Sequence, residues 1–174
     1  MITAVTTFHK EGLDLYGQRF LESFATNVDK QVKLIVYAED CEPVNPDPTQ
    51  ITIVPQTNLK QLIEFKNKWQ NVPKANGKCP FPEKRPRDHH KEFKWDAIRF
   101  ANKTYAVFET YKTAESKWVV WIDADTFVHS PISYKQFEDL LPDDTWITFV
   151  GRGRGTQTWP CLLYTSDAAD DRIG

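Results

Sequence analysis

The sequence predicts an α/β fold, a mainly parallel central sheet flanked by helices. Short apolar runs rich in β-branched residues alternate with longer segments of helical spacing, the pattern of strand–helix–strand units. One such run, Trp118-Val119-Val120-Trp121-Ile122, ends abruptly in Asp123-Ala124-Asp125. A composition of 40% hydrophobic and 26% charged residues over 174 positions fits about one globular domain.

Residues 2–8 alternate threonine with apolar side chains and predict the first strand. After a turn over residues 9–12, Leu13, Tyr16, Phe20 and Phe24 recur at helical spacing and predict a helix to residue 28. Residues 32–38 form a second apolar run, closed by Glu39-Asp40. A loop rich in proline and aspartate, residues 41–50, leads to a short third strand over 51–54. Asn58 is the expected cap of a helix ending near Trp69. Residues 71–87 carry several prolines, lysines and arginines and predict a long irregular segment. A long helix is expected from about Asp88 to Ser116, with Phe93, Ala97, Phe100, Thr104, Phe108 and Tyr111 along its buried stripe. The strand running into Asp123 follows, expected to be fully buried and central. A short helix from Ser133 or Tyr134 to Leu140 and a strand over 145–150 complete the pattern.

The bulk properties exclude several function classes. A net charge of −2 gives no drive toward nucleic acid or an acidic membrane surface. No apolar run approaches the roughly 20 residues that span a bilayer, so no transmembrane segment is expected. The first residues lack the basic and apolar regions of a secretion signal. Cys41, Cys79 and Cys161 form no CxxC pair, and a reducing, cytoplasmic compartment is expected.

The end of the chain reads differently. Cys161 to Asp170 resembles the translation of a transposon adapter used in sequencing libraries. Residues 161–174 are therefore expected to be a non-native tail, leaving residues 1–160 as the domain and the natural chain truncated after Pro160.

The carboxylates closing the Trp118 run carry the chemistry. In a strand, Asp123 and Asp125 share a face while Ala124 points away. Two carboxylates about 6 Å apart at an effective dielectric near 20 repel by roughly 3 kcal/mol. A cation between them, or protonation of one, would relieve that repulsion. Hard divalent ions such as Mg2+ or Mn2+ take oxygen ligands and commonly bridge carboxylate to phosphate. On the long helix Asp96, Arg99 and Lys103 are spaced three and four apart and share a face. They form either a solvated ion-pair ladder or a phosphate-facing set, the latter favoured for Asp96 and Arg99 and the former for Lys103.

The order of these elements, with a hydrophobic strand ending Trp121-Ile122-Asp123-Ala124-Asp125, resembles the GT-A class of nucleotide-sugar glycosyltransferases, whose domain is Rossmann-related. The resemblance covers residues 2–150, and only the strand carrying Asp123 and Asp125 is a motif match, at the DxD position. It implies a divalent ion, Mn2+ or Mg2+, held by Asp123 and Asp125 against the diphosphate of a UDP- or GDP-sugar. It also implies a donor site from Thr6, Thr7 and Phe8 at the end of the first strand and Tyr37 and Glu39 at the end of the second. There Tyr37 would stack on the base and Glu39 accept a ribose or base hydrogen bond. Asp96, Arg99 and Lys103 join this donor set, whereas the acceptor and the general base remain unassigned.

Other readings fit less well. A haloacid-dehalogenase phosphatase needs DxDxT, and Thr126 falls one position early. A metal-dependent nucleotidyltransferase lacks its glycine-rich basic loop, for which Thr7-Phe8-His9-Lys10 is a poor substitute. A catalytically dead donor-binding fragment stays open as the non-enzymatic alternative. His129 is expected in a turn rather than on a metal, and His89 and His90 match no HExxH pattern. The run from Gly151 to Gly155 lacks GxGxxG spacing and predicts no dinucleotide site.

Overall fold

A computed structural model of the chain describes residues 1–79, 96–141 and 148, and the backbone of two further strands, Arg152–Arg154 and Gln157–Trp159. The helix start expected at Asp88, His89, His90, the basic loop beyond residue 79 and, residue 148 apart, the strand expected over 145–150 lie outside the described residues.

The chain is α/β with a four-stranded, all-parallel sheet in the order β3-β2-β1-β4, flanked by helices. Strand β1 (Ile2–His9) leads through a short helical turn α1 (Lys10–Gly12) and a π-helical turn, Leu13–Gly17, into α2 (Gln18–Asn27). Strands β2 (Val32–Glu39) and β3 (Ile51–Pro55) follow, then α3 (Lys60–Trp69). Helix α4 (Ala97–Thr113) precedes β4 (Trp118–Trp121), and α5 (Tyr134–Leu140) closes the described core. The two C-terminal strands, β5 (Arg152–Arg154) and β6 (Gln157–Trp159), form an antiparallel pair, where the sequence suggested only a rejected phosphate loop.

Period-two alternation sorts the sheet's side chains into two apolar layers. Ala4 and Phe8, Val32, Leu34 and Val36, and the half-buried Val120 and Ile122 pack with Phe20, Leu21 and Phe24 of α2 and Phe137 of α5. Fully burying each phenylalanine of α2 contributes about 1.5–3 kcal/mol. On the other face Val5 and Tyr37 meet Leu62 of α3 and Ala101 and Ala106 of α4.

Four expectations are corrected. Helix α4 does not run through Asp96, whose carboxylate instead accepts the Arg99 backbone N–H at 3.0 Å and caps the helix. Its buried stripe is Ala101, Ala106 and Thr110, while Phe108 and Tyr111 are exposed. Small side chains let α4 lie close on β1, and the aromatics face outward. Asn58 sits in a 3₁₀ turn, Gln56–Asn58, and makes no cap; Leu59 occupies the cap position of α3 without a side-chain bond. Strand β4 is half-buried rather than fully covered, and among the described residues it is an edge strand, pairing only with β1. At α5, by contrast, Ser133 forms a complete capping box with Gln136. No helix among the described residues is long and apolar enough to cross a membrane.

Candidate functional site

The site arises because β4 is shorter than β1. Their pairing ends at Val5↔Trp121, after which the Ile122 N–H donates to the Val5 carbonyl at 3.1 Å. The chain then turns: the Thr126 N–H donates to the Asp123 carbonyl at 3.0 Å. Thr6 to His9 of β1 therefore run on without β4 beside them. A crevice opens at the carboxyl end of the sheet, between the strands where chain order reverses, the usual ligand position in open parallel sheets. Its volume is about 610 Å3.

Asp123 and Asp125 both line this cavity, yet not as alternating residues of one strand. The strand ends at Trp121, and both carboxylates belong to the turn that follows. Asp125 is exposed. Asp123 is partly withdrawn and held: its Oδ1 accepts the Trp121 indole N–H at 2.6 Å and lies 3.3 Å from the Lys103 ammonium. The Lys103 nitrogen also sits 4.8 Å from the Trp121 ring centroid, within cation–π range. The cation that relieves Asp123 is thus supplied by the chain itself. Lys103, expected in a solvated ladder, belongs to the site.

Helix α4 brings Asp96, Arg99 and Lys103 to the same cavity, with Asp96 acting as helix cap and Arg99 one turn before Lys103. Strand β1 supplies Thr7 and Phe8, and β2 supplies Glu39. Two predicted donor residues are not there. Thr6 is fully buried, two residues before Phe8 on the same face of β1, and Tyr37 is 4% exposed, its hydroxyl accepting from Thr110 Oγ1 at 3.5 Å. Tyr37 fills core where base stacking was expected, because α4 packs over its position two residues before the end of β2.

Glu39 and Thr7 join a closed polar chain. The Lys66 ammonium donates to Glu39 Oε1 and, at 2.8 Å, to Gln56 Oε1. Gln56 Nε2 donates to Thr7 Oγ1 at 3.0 Å, and Thr7 donates to the Tyr37 carbonyl at 2.7 Å. Glu39 stands between the crevice and a second cavity of about 680 Å3, lined also by Lys66, Gln56 and Asp40.

Tyr16 reads in the sequence as a core position of the first helix, and nothing in its spacing marks it for the site. The π-helical turn directs it to the cavity wall, and Gly12 makes room: a Cβ there would stand 2.6 Å from the Tyr16 hydroxyl. Burial raises the Tyr16 phenol above its ordinary value, and the Asp125 carboxylate raises it further against an opposing pull from Arg99. Asn102 was also missed. It lines the cavity, and its Oδ1 is buried and accepts no hydrogen bond among the described residues. The signal for Trp121 was present in the sequence: its indole closes the same apolar run two positions before Asp123. His9 caps α1 through Nδ1, which accepts the Gly12 N–H at 3.1 Å, and His129 is exposed beyond the carboxylate turn.

Among the described residues no three His, Cys, Asp or Glu side chains converge on a metal position. Asp123 and Asp125 alone make an all-oxygen, hard donor pair. Such a pair suits Mg2+ or Mn2+ when substrate oxygens and water complete the shell. Comparison with protein-family models, curated proteins and solved structures finds no match to the chain.

Proposed function

We propose that the chain is the nucleotide-sugar-binding domain of a GT-A-type glycosyltransferase, one that transfers a sugar from a UDP- or GDP-sugar with Mn2+ or Mg2+. One observation carries the reading. At the switch point of a parallel sheet, the carboxylates of Asp123 and Asp125 face the same crevice as the cations of Arg99 and Lys103. Acid and base together on one wall suit a ligand that is both polyanionic and metal-bound, and a nucleoside diphosphate is such a ligand.

Each residue then has a task. Arg99 and Lys103 present fixed positive charge to the diphosphate, which gains negative charge as it departs. Tyr16 keeps its phenol protonated and so remains a hydrogen-bond donor beside Asp125. Asp123 and Asp125 would hold the divalent ion, which when bound supplies Lewis-acid stabilisation of the leaving diphosphate.

Calorimetric titration of UDP and GDP, with and without Mn2+, tests this reading. Binding is expected to require the metal and to weaken at least about tenfold in Asp125→Ala, the scale reached even by losing a partner of a metal ligand. Metal-independent binding, or none by folded protein, overturns it.

A further inference from the structure

We infer that Lys103 is the resident counter-ion of Asp123 and must leave it before a divalent ion binds there, so that metal enters with the nucleoside diphosphate rather than ahead of it. The inference rests on the proposed metal–nucleotide reading of this crevice and adds an order of binding to it. One oxygen of Asp123 already takes two donors, the Trp121 indole at 2.6 Å and the Lys103 ammonium at 3.3 Å. The ammonium is held from a second direction by the Trp121 ring, 4.8 Å from its centroid. Lys103 and Asp123 side chains are 25% and 20% exposed, so water only partly screens what approaches them. A divalent ion arriving alone meets a carboxylate already neutralised and a like charge beside it.

A diphosphate reverses both terms. Its oxygens accept the Lys103 ammonium, and the lysine stem is long and flexible enough to swing from carboxylate to phosphate. Asp123 is then released to the metal, and the phosphate offers the ion further oxygen ligands. Arg99 lines the same cavity one turn earlier on α4, so a second cation already faces the ligand. Coupling of this kind is reciprocal: the nucleotide tightens the metal by the factor with which the metal tightens the nucleotide.

The test is titration of Mn2+ followed by the paramagnetic signal of the free ion, for wild type, Lys103→Met and Lys103→Arg, each first checked for native circular dichroism. Mn2+ is added alone and then with saturating UDP or GDP. Lys103→Met is expected to bind Mn2+ alone about fivefold or more tighter than wild type, the lower end of ordinary site–site coupling. Lys103→Arg, which keeps the charge, is expected to stay as weak as wild type. Equal Mn2+ affinity in wild type and Lys103→Met, or tight binding by Lys103→Arg, overturns the counter-ion role. If nucleotide still tightens Mn2+ in either of those cases, only this inference falls. If no folded protein binds Mn2+ even with UDP or GDP, the metal–nucleotide reading falls as well.

Discussion

Among the described residues, the carboxyl edge of the sheet carries the lysine–carboxylate pairs Lys66–Glu39 and Lys103–Asp123, and they are built differently. At the end of β2, Lys66 is gripped by Glu39 and by Gln56, itself 3% exposed and tied through Thr7 to the β2 backbone. At the end of β4, Lys103 meets Asp123 at 3.3 Å, with the Trp121 ring also beside it and an exposed carboxylate, Asp125, on the same crevice. In the first pair the lysine is tied into a hydrogen-bonded chain that includes the buried Gln56. The second leaves ligand-accepting positions open. A closed ion pair specifies a structure, whereas an open one is available for exchange.

The sharpest way to break this contrast is to remove each lysine. Lys66→Met leaves Glu39 and the buried Gln56 carbonyl without their donor, which is expected to destabilise the fold by about 1–3 kcal/mol. Urea unfolding followed by circular dichroism measures it. A neutral result would mean that the Glu39–Lys66–Gln56 chain holds nothing together. Lys103→Met, in the same assay, is expected to change stability by no more than about 1 kcal/mol, because Trp121 still serves Asp123 and no buried amide loses its donor. A loss as large as that of Lys66→Met would make the second pair structural too.

The same contrast marks what could be read from sequence. Strands β1 to β3 and helix α2 were legible because alternation and helical spacing there agree with burial: Phe20 and Phe24 face the sheet as their spacing requires. Helix α4 was misread because apolar content does not decide which face approaches a sheet closely. Ala101 and Ala106 do, being small, and Phe108 and Tyr111 stay outside. At the site, the carboxylates announced themselves by closing an apolar run. Lys103 did not, since its tie to Asp123 spans twenty positions of sequence and depends on how α4 lies on β4. Thr6 and Tyr37 were placed at the edge by position, but only Thr7, Phe8 and Glu39 face the crevice. Thr6 is fully buried short of the edge, and α4 covers Tyr37.

A smaller effect probes the open pair from its other side. Tyr16 holds its proton above the ordinary value of 10.0, with burial as the larger cause and Asp125 as the next. A phenol raised in the folded state adds stability below its unfolded value, and that stability is lost as pH rises through the folded one. Asp125→Asn removes the nearby anion but not the burial, so the Tyr16 titration is expected to move down only part of the way. The difference in phenolate absorbance between each protein and its Tyr16→Phe counterpart isolates this group. An unmoved titration would place Asp125 too far from Tyr16 to share its field. A downward shift would show that the exposed carboxylate of the open pair charges the crevice wall, as a site poised for a cation requires.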